Sequence, residues 1–180
     1  VGFHLVKRKY WVLILLTAVI ILLDQWTKAL VLNRFHLGES IAVIPGFFNF
    51  TFVKNPGAAF GLLATADPAF RIPFFLLVPL IALGAIGYVF HKLDGDDIRM
   101  STALSLVIGG AIGNLIDRAM LSYVVDFLDF HWKNIYHFPA FNIADSTICV
   151  GVAMLMFDML LQEKAVRKNQ GSERNASPAR

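Results

Sequence analysis

Apolar and polar residues fall into long blocks along this chain. Four runs, Tyr10 to Leu32, Ile72 to Phe90, Met100 to Met120 and Ile143 to Leu161, carry few charges. A hydrocarbon layer about 30 Å thick is crossed by roughly 20 helical residues rising about 1.5 Å each, so each run is long enough, or nearly so, to span a membrane. The first, "KRKYWVLILLTAVIILL", has the basic start and apolar middle of a secretory leader. It is followed by "DQWTKALVL", without a small-residue cleavage pattern, and is read as a helix that stays in place.

Between the first two runs the period changes. After a Pro45-Gly46 turn, "FFNFTFV" alternates aromatic with polar residues, the pattern of a strand. It predicts a small sheet or cradle at the membrane surface, with Phe47, Phe48, Phe50, Phe52 and Phe60 meeting lipid or substrate, the plainer alternative being an aromatic belt. The loop "LSYVVDFLDFHWKNIYHFPAF" again mixes aromatic and polar groups and reads as interfacial. Pro73 is tolerable in a first helical turn and Pro79 should kink the second run. From Ala165 the chain is polar and poor in aromatics, which predicts a disordered tail. The fold class is therefore an all-α membrane protein of four transmembrane helices with a small β-cradle. Residues 1–164 form one domain and 165–180 a tail.

Composition excludes a soluble domain: 57% of residues are hydrophobic, 16% are charged, and mean hydropathy is +0.62. Charge then gives orientation. Lys7, Arg8 and Lys9 precede run one, Lys92 and Arg99 separate runs two and three, and Lys164, Arg167, Lys168, Arg174 and Arg180 follow run four. This basic side is the cytoplasmic one by the positive-inside rule, so both termini are cytoplasmic. A net charge of +3 gives no support for a nucleic-acid partner. The single cysteine, Cys149, excludes an intrachain disulfide and is read as packing.

Ionisable groups within spans are costly and mark function by default. Counted from the cytoplasmic ends at about 1.5 Å per residue, Asp24 and Asn114 lie about 21 Å up their helices and Arg118 about 27 Å. Asn142 and Asp145 open the descending fourth run at the same level, with Asp126 and Asn55 in loops able to reach it. Asn114 and Arg118 share a helix face, as do Asn142 and Asp145. Asp117, next to Arg118, is read as its structural partner. Gly109, Gly110 and Gly113 give run three a smooth face for close helix packing.

Asp145 permits two readings, a helix-capping side chain or a reactive carboxylate. A serine nucleophile is excluded because Ser101 and Ser105 lie near the cytoplasmic side and no GxSxG elbow is present. His131, His137 and a carboxylate could in principle hold a metal, but no HExxH helix supports that. Two aspartates remain. At about 4 Å and an effective dielectric near 20, two carboxylates repel by about 4 kcal/mol, roughly three pK units, so such a pair shares one proton near neutrality. The ionised member can then take a proton from water while the protonated one polarises an amide carbonyl. Spacing alone leaves Asp126 and Asp129 both open as the partner of Asp145.

The motifs "DQWTK" (24–28), "NPGAAFG" (55–61), "GGAIGNLIDR" (109–118), "VVDF" (124–127) and "FNIADS" (141–146) resemble, in order, those of the bacterial lipoprotein signal peptidases, signal peptidase II. That resemblance implies an inner-membrane aspartic endopeptidase whose site faces the periplasm. It would remove the signal peptide of a diacylglyceryl-modified prolipoprotein, cleaving before the lipidated cysteine. It makes Asp126 and Asp145 the catalytic pair, lines the pocket with Asn55, Asn114, Arg118 and Asn142, and gives Asp24 a bracing role. It implies no metal or cofactor, contact with membrane lipid, and inhibition by globomycin-type cyclic peptides. Two other classes compete with this reading. A transporter using Asp24, Asp126 and Asp145 as a proton or cation path is disfavoured because the polar set sits at one depth. A purely structural subunit leaves these costly groups without purpose.

Overall fold

The computed structural model describes residues 7–57, 62–133 and 135–176, with residues 165–176 described by backbone alone. The four apolar runs are four helices: α1 (Arg8–Arg34), α2 (Pro68–Lys92), α3 (Ile98–Leu121) and α4 (Ile143–Ala176). All four are long and apolar enough to cross a membrane. Two of their starts are set by aspartates. Asp67 accepts from the Ala69 N–H at 2.7 Å ahead of Pro68, and Asp97 accepts from the Met100 N–H at 3.0 Å, each satisfying a donor that a helix start leaves free. The α4 backbone is helical as far as Ala176.

Four strands lie at the end of the bundle where α1 and α3 finish and α4 begins: β1 (Ser40–Ile44), β2 (Phe48–Asn55), β3 (Val124–Trp132) and β4 (Tyr136–His137). They form an antiparallel sheet in the order β1-β2-β3-β4. The turn between β1 and β2 needs Gly46, whose φ is 77°. Val53 pairs with Asp126 and Phe50 with Leu128, so β2 spends one extra residue between them, a bulge that bends the strand. At the bulge Phe52 turns inward and joins Val125, Phe127 and Val31 of α1 in the core under the sheet. Phe52 therefore does not meet lipid, whereas Phe47 and Phe50 are exposed. Phe60 lies outside the described residues.

α3 is the central helix, packing on α1, α2 and α4. Its glycines are the reason it fits. A Cβ on Gly109 would come within 3.0 Å of Ile20, and one on Gly110 would collide with the Ala144 carbonyl and meet Thr147 Oγ1 at 2.6 Å. The small-residue face thus lets α1 and α4 approach from two sides. At the opposite end of the bundle, buried Lys9 donates to the carbonyls of Phe90, His91 and Leu93 at 3.1, 2.9 and 2.7 Å, closing the C-terminus of α2. Cys149 is exposed on α4 and does not serve the packing role expected of it.

Candidate active site

The α4 start decides how Asp145 is placed. Asn142 is the cap: its Oδ1 accepts from the Asp145 N–H at 2.9 Å, and Asp145 Oδ2 accepts in return from the Asn142 N–H at 3.3 Å. This reciprocal arrangement is a capping box, with the third residue of the helix reaching back to the cap. Asp145 takes part in the box through one oxygen only. Its Oδ1 accepts from Asn114 Nδ2 at 2.7 Å, so the carboxylate also faces α3.

Asp126 arrives from the sheet. Its neighbours Val125 and Phe127 face the core, and strand alternation turns the Asp126 side chain the other way. Asp126 Oδ1 accepts from Asn142 Nδ2 at 2.8 Å and Oδ2 accepts from Asn55 Nδ2 at 3.0 Å. Asn142 therefore touches both aspartates, one through its side chain and one through its backbone. Burial, and secondly the Asp145 carboxylate, push the Asp126 pKa up to about 7, against the pull of its bonds to Asn55 and Asn142 and of the Lys28 charge. Carboxylate repulsion, the cause inferred from sequence, is thus the smaller of two effects.

Each asparagine has its carbonyl pinned away from the carboxylates. Asn55 Oδ1 accepts from Gly57 N–H at 3.1 Å, Asn142 Oδ1 from Asp145 N–H, and Asn114 Oδ1 from Lys28 Nζ at 3.0 Å. Their amino groups are left to face Asp126 and Asp145. Arg118 donates to the Asn114 carbonyl at 3.2 Å and to the Gly57 carbonyl at 3.1 Å, with its guanidinium 5.3 Å from the Phe75 ring centre. Among the described residues its Nε has no hydrogen-bond partner. Asp24 Oδ1 accepts from the Ala144 N–H at 2.9 Å, holding the start of α4.

The chain matches relatives along nearly their whole length. The profile of the family described as "Signal peptidase (SPase) II" matches residues 16–161. The chain is 47% identical over 163 residues to a lipoprotein signal peptidase of Geobacter metallireducens, covering 91% of this chain and 99% of that one. A protein of the same name from Neisseria meningitidis serogroup C is 44% identical over 164 residues, 90% and 95% of the two chains. The chain belongs to the signal peptidase II family.

Two solved structures, each described as a bacterial membrane enzyme, share the fold of this signal peptidase II. One has a TM-score of 0.75 at 33% identity, covering 98% of this chain and 100% of the other. The second has 0.73 at 36% identity, covering 87% and 98%. All seven residues singled out in the sequence, Asp24, Asn55, Asn114, Arg118, Asp126, Asn142 and Asp145, lie in one connected set of hydrogen bonds and charge contacts. Asp129 is three residues from Asp126 on β3, hence on the other face of the sheet, where it contacts His137 Nδ1 at 2.9 Å and accepts from Asn49 at 3.1 Å. The His131 and His137 rings stack at 4.8 Å, and among the described residues no three His, Cys, Asp or Glu side chains are placed to hold a metal ion.

Three participants were not singled out as site residues. Lys28, Asp117 and Gln25 form a buried cluster beneath the aspartates, with Lys28 Nζ 2.8 Å from Asp24 and 2.9 Å from Asp117, and Gln25 Nε2 donating to Asp117 at 2.9 Å. Asp117 is structural, as expected, but its close partners are Lys28, Gln25 and the Val125 N–H, not Arg118. The i, i+4 spacing of Asp24 and Lys28 was the available signal.

Proposed function

We propose that this signal peptidase II is an intramembrane aspartic endopeptidase that removes the signal peptide from diacylglyceryl-modified prolipoproteins, cleaving before the lipidated cysteine, with Asp126 and Asp145 as its catalytic pair. The observation that carries the proposal is the meeting of these two carboxylates, one from the sheet and one from α4, on the single residue Asn142. Burial and the neighbouring carboxylate raise the Asp126 pKa to about 7, which supports Asp126 as the acid of the first step with Asp145 as the base.

In the reaction, Asp145 takes a proton from water and the water oxygen adds to the scissile carbonyl carbon, as Asp126 gives its proton to the carbonyl oxygen. The resulting tetrahedral diol collapses when Asp126 takes back a hydroxyl proton and Asp145 protonates the departing cysteine nitrogen. The C–N bond breaks, one water is consumed, and both carboxyls return to their starting states. Asn55, Asn114 and Asn142 hold the carboxylates and line the pocket. Arg118, held by the backbone carbonyls of Asn114 and Gly57, lines the same pocket.

The excess of basic residues near one set of span ends supports both termini on the cytoplasmic side of a bacterial inner membrane, with the sheet end facing the periplasm. There the substrate's acyl chains stay in lipid while water reaches the carboxylates. Residues 1–164 act as one peptidase domain, and a globomycin-type cyclic peptide occupies the same pocket. The test is cleavage of lipidated and unlipidated precursor by purified protein with and without that inhibitor. Asp126→Asn and Asp145→Asn are each expected to insert normally and lose cleavage. Normal processing by either variant refutes the pair.

A further inference from the structure

Lys28 is a charge almost wholly out of contact with solvent, at 2% exposure within a membrane-spanning helix. A lone ammonium there is costly, so its partners explain its presence. All three of its donors are used, on Asp24 Oδ2 at 2.8 Å, Asp117 Oδ2 at 2.9 Å and Asn114 Oδ1 at 3.0 Å. Neutralising two acids would need no third contact, and no particular identity in the residues beyond them.

Those residues are what make the arrangement specific. Asp24 holds the N–H of Ala144, the residue before Asp145, at 2.9 Å. Asp117 holds the N–H of Val125, the residue before Asp126, at 3.0 Å. Asn114, its oxygen taken by Lys28, turns its amino group onto Asp145 at 2.7 Å. One ammonium therefore connects, through three short arms, to both chain segments that carry the aspartates. An ionised carboxylate only accepts, so the amino end of the Asn114 amide is the one that suits Asp145, and the ammonium on its oxygen locks the amide in that orientation.

Resting on the catalytic reading above, we infer that Lys28 is a positioning residue for this peptidase: its ammonium fixes the spacing of Asp126 and Asp145 and the orientation of the Asn114 amide between them. It touches neither substrate nor carboxylate of the pair. The charged and titratable groups around it are Asp24 on α1, Asp117 and Arg118 on α3, Asp126 on β3 and Asp145 on α4. Its contribution belongs to the chemical step and not to substrate binding, so kcat falls without it while KM holds. Misplacing reacting groups by about 1 Å costs on the order of 100-fold in rate.

Lys28→Met alone strands two buried acids and can fail to insert, so the decisive variant is Asp24→Asn/Lys28→Met/Asp117→Asn. It keeps oxygens able to accept from Ala144 and Val125 but carries no unpaired charge. With lipidated precursor as substrate, this variant is expected in the membrane with KM within about threefold of wild type and kcat on the order of 100-fold lower. A wild-type kcat in either variant recovered from the membrane overturns the inference, because the ammonium would then only neutralise its neighbours. A raised KM with unchanged kcat overturns it too. Asp145→Asn is run alongside: if it cleaves, the catalytic reading fails, whereas an inactive Asp145→Asn beside a fully active triple variant removes only the role of Lys28.

Discussion

Asn142 donates its side-chain amide to Asp126 at 2.8 Å while its backbone N–H donates to Asp145 at 3.3 Å. Helix capping and the placement of two carboxylates thus depend on one residue. Asn142→Asp keeps a good cap but replaces the donor facing Asp126 with a third carboxylate. It is expected to insert at near wild-type levels and lose at least about 100-fold in kcat/KM. Asn142→Ala loses the cap as well, at about 1 kcal/mol of stability. Thermal unfolding in detergent beside a cleavage assay separates the two effects.

The proton on Asp126 gives a pH dependence with a definite sign. Its pKa is raised from 3.8 to about 7 in the folded chain, so between those values the folded state binds a proton that the unfolded state has released. Stability from this group is then greatest at low pH and falls as pH rises towards 7. Cleavage should follow on the alkaline side. Above about pH 7 the acid form of Asp126 is depleted and kcat/KM should fall up to about tenfold per pH unit. A rate that is flat from pH 6 to about 9 contradicts the assignment of Asp126 as the acid.

Asp129 provides the control for the choice of carboxylate. It lies on the opposite sheet face, engaged by Asn49 and His137. Asp129→Asn is expected to keep kcat/KM within about threefold of wild type, as befits a residue outside the reacting set. Complete loss in the cleavage assay would move the catalytic role to this residue.

Close helix approach predicts a contrast between glycines. Gly113→Ala would place a Cβ 2.6 Å from Asp24 Oδ2, and Gly110→Ala would meet the Ala144 backbone, so both push α4 or Asp24 away from the site. Each is expected to cost about 1–3 kcal/mol and most of the activity. Gly84→Ala and Gly87→Ala on α2, where nothing among the described residues lies within 4 Å, should be neutral in unfolding and cleavage measurements.

Much of this molecule could be read from residue order because a bilayer leaves few options. Helices must satisfy their own backbones, so hydropathy located all four spans within a few residues, and depth alone brought Asp24, Asn114 and Asp145 to one level. Side-chain direction was harder to read. Asp117 was given to Arg118 because they are adjacent, yet neighbours on a helix point about 100° apart, and Asp117 instead faces Lys28 across the α1 and α3 contact. Phe52 was assigned by strict alternation, which the bulge in β2 breaks. Spacing left Asp126 and Asp129 both open and only the motif resemblance pointed to Asp126, because which strand face meets α4 depends on pairings among residues more than seventy positions apart.

Asp126 belongs to a sheet at the end of the bundle, whereas Asp145 belongs to a helix anchored in hydrocarbon. Any tilt of α4 beneath the sheet, such as a thinner or thicker bilayer imposes, is transmitted to the gap between them. With Asp126 and Asp145 proposed as the reacting pair, turnover is expected to vary with acyl-chain length in the surrounding lipid, so reconstitutions are best compared at matched thickness.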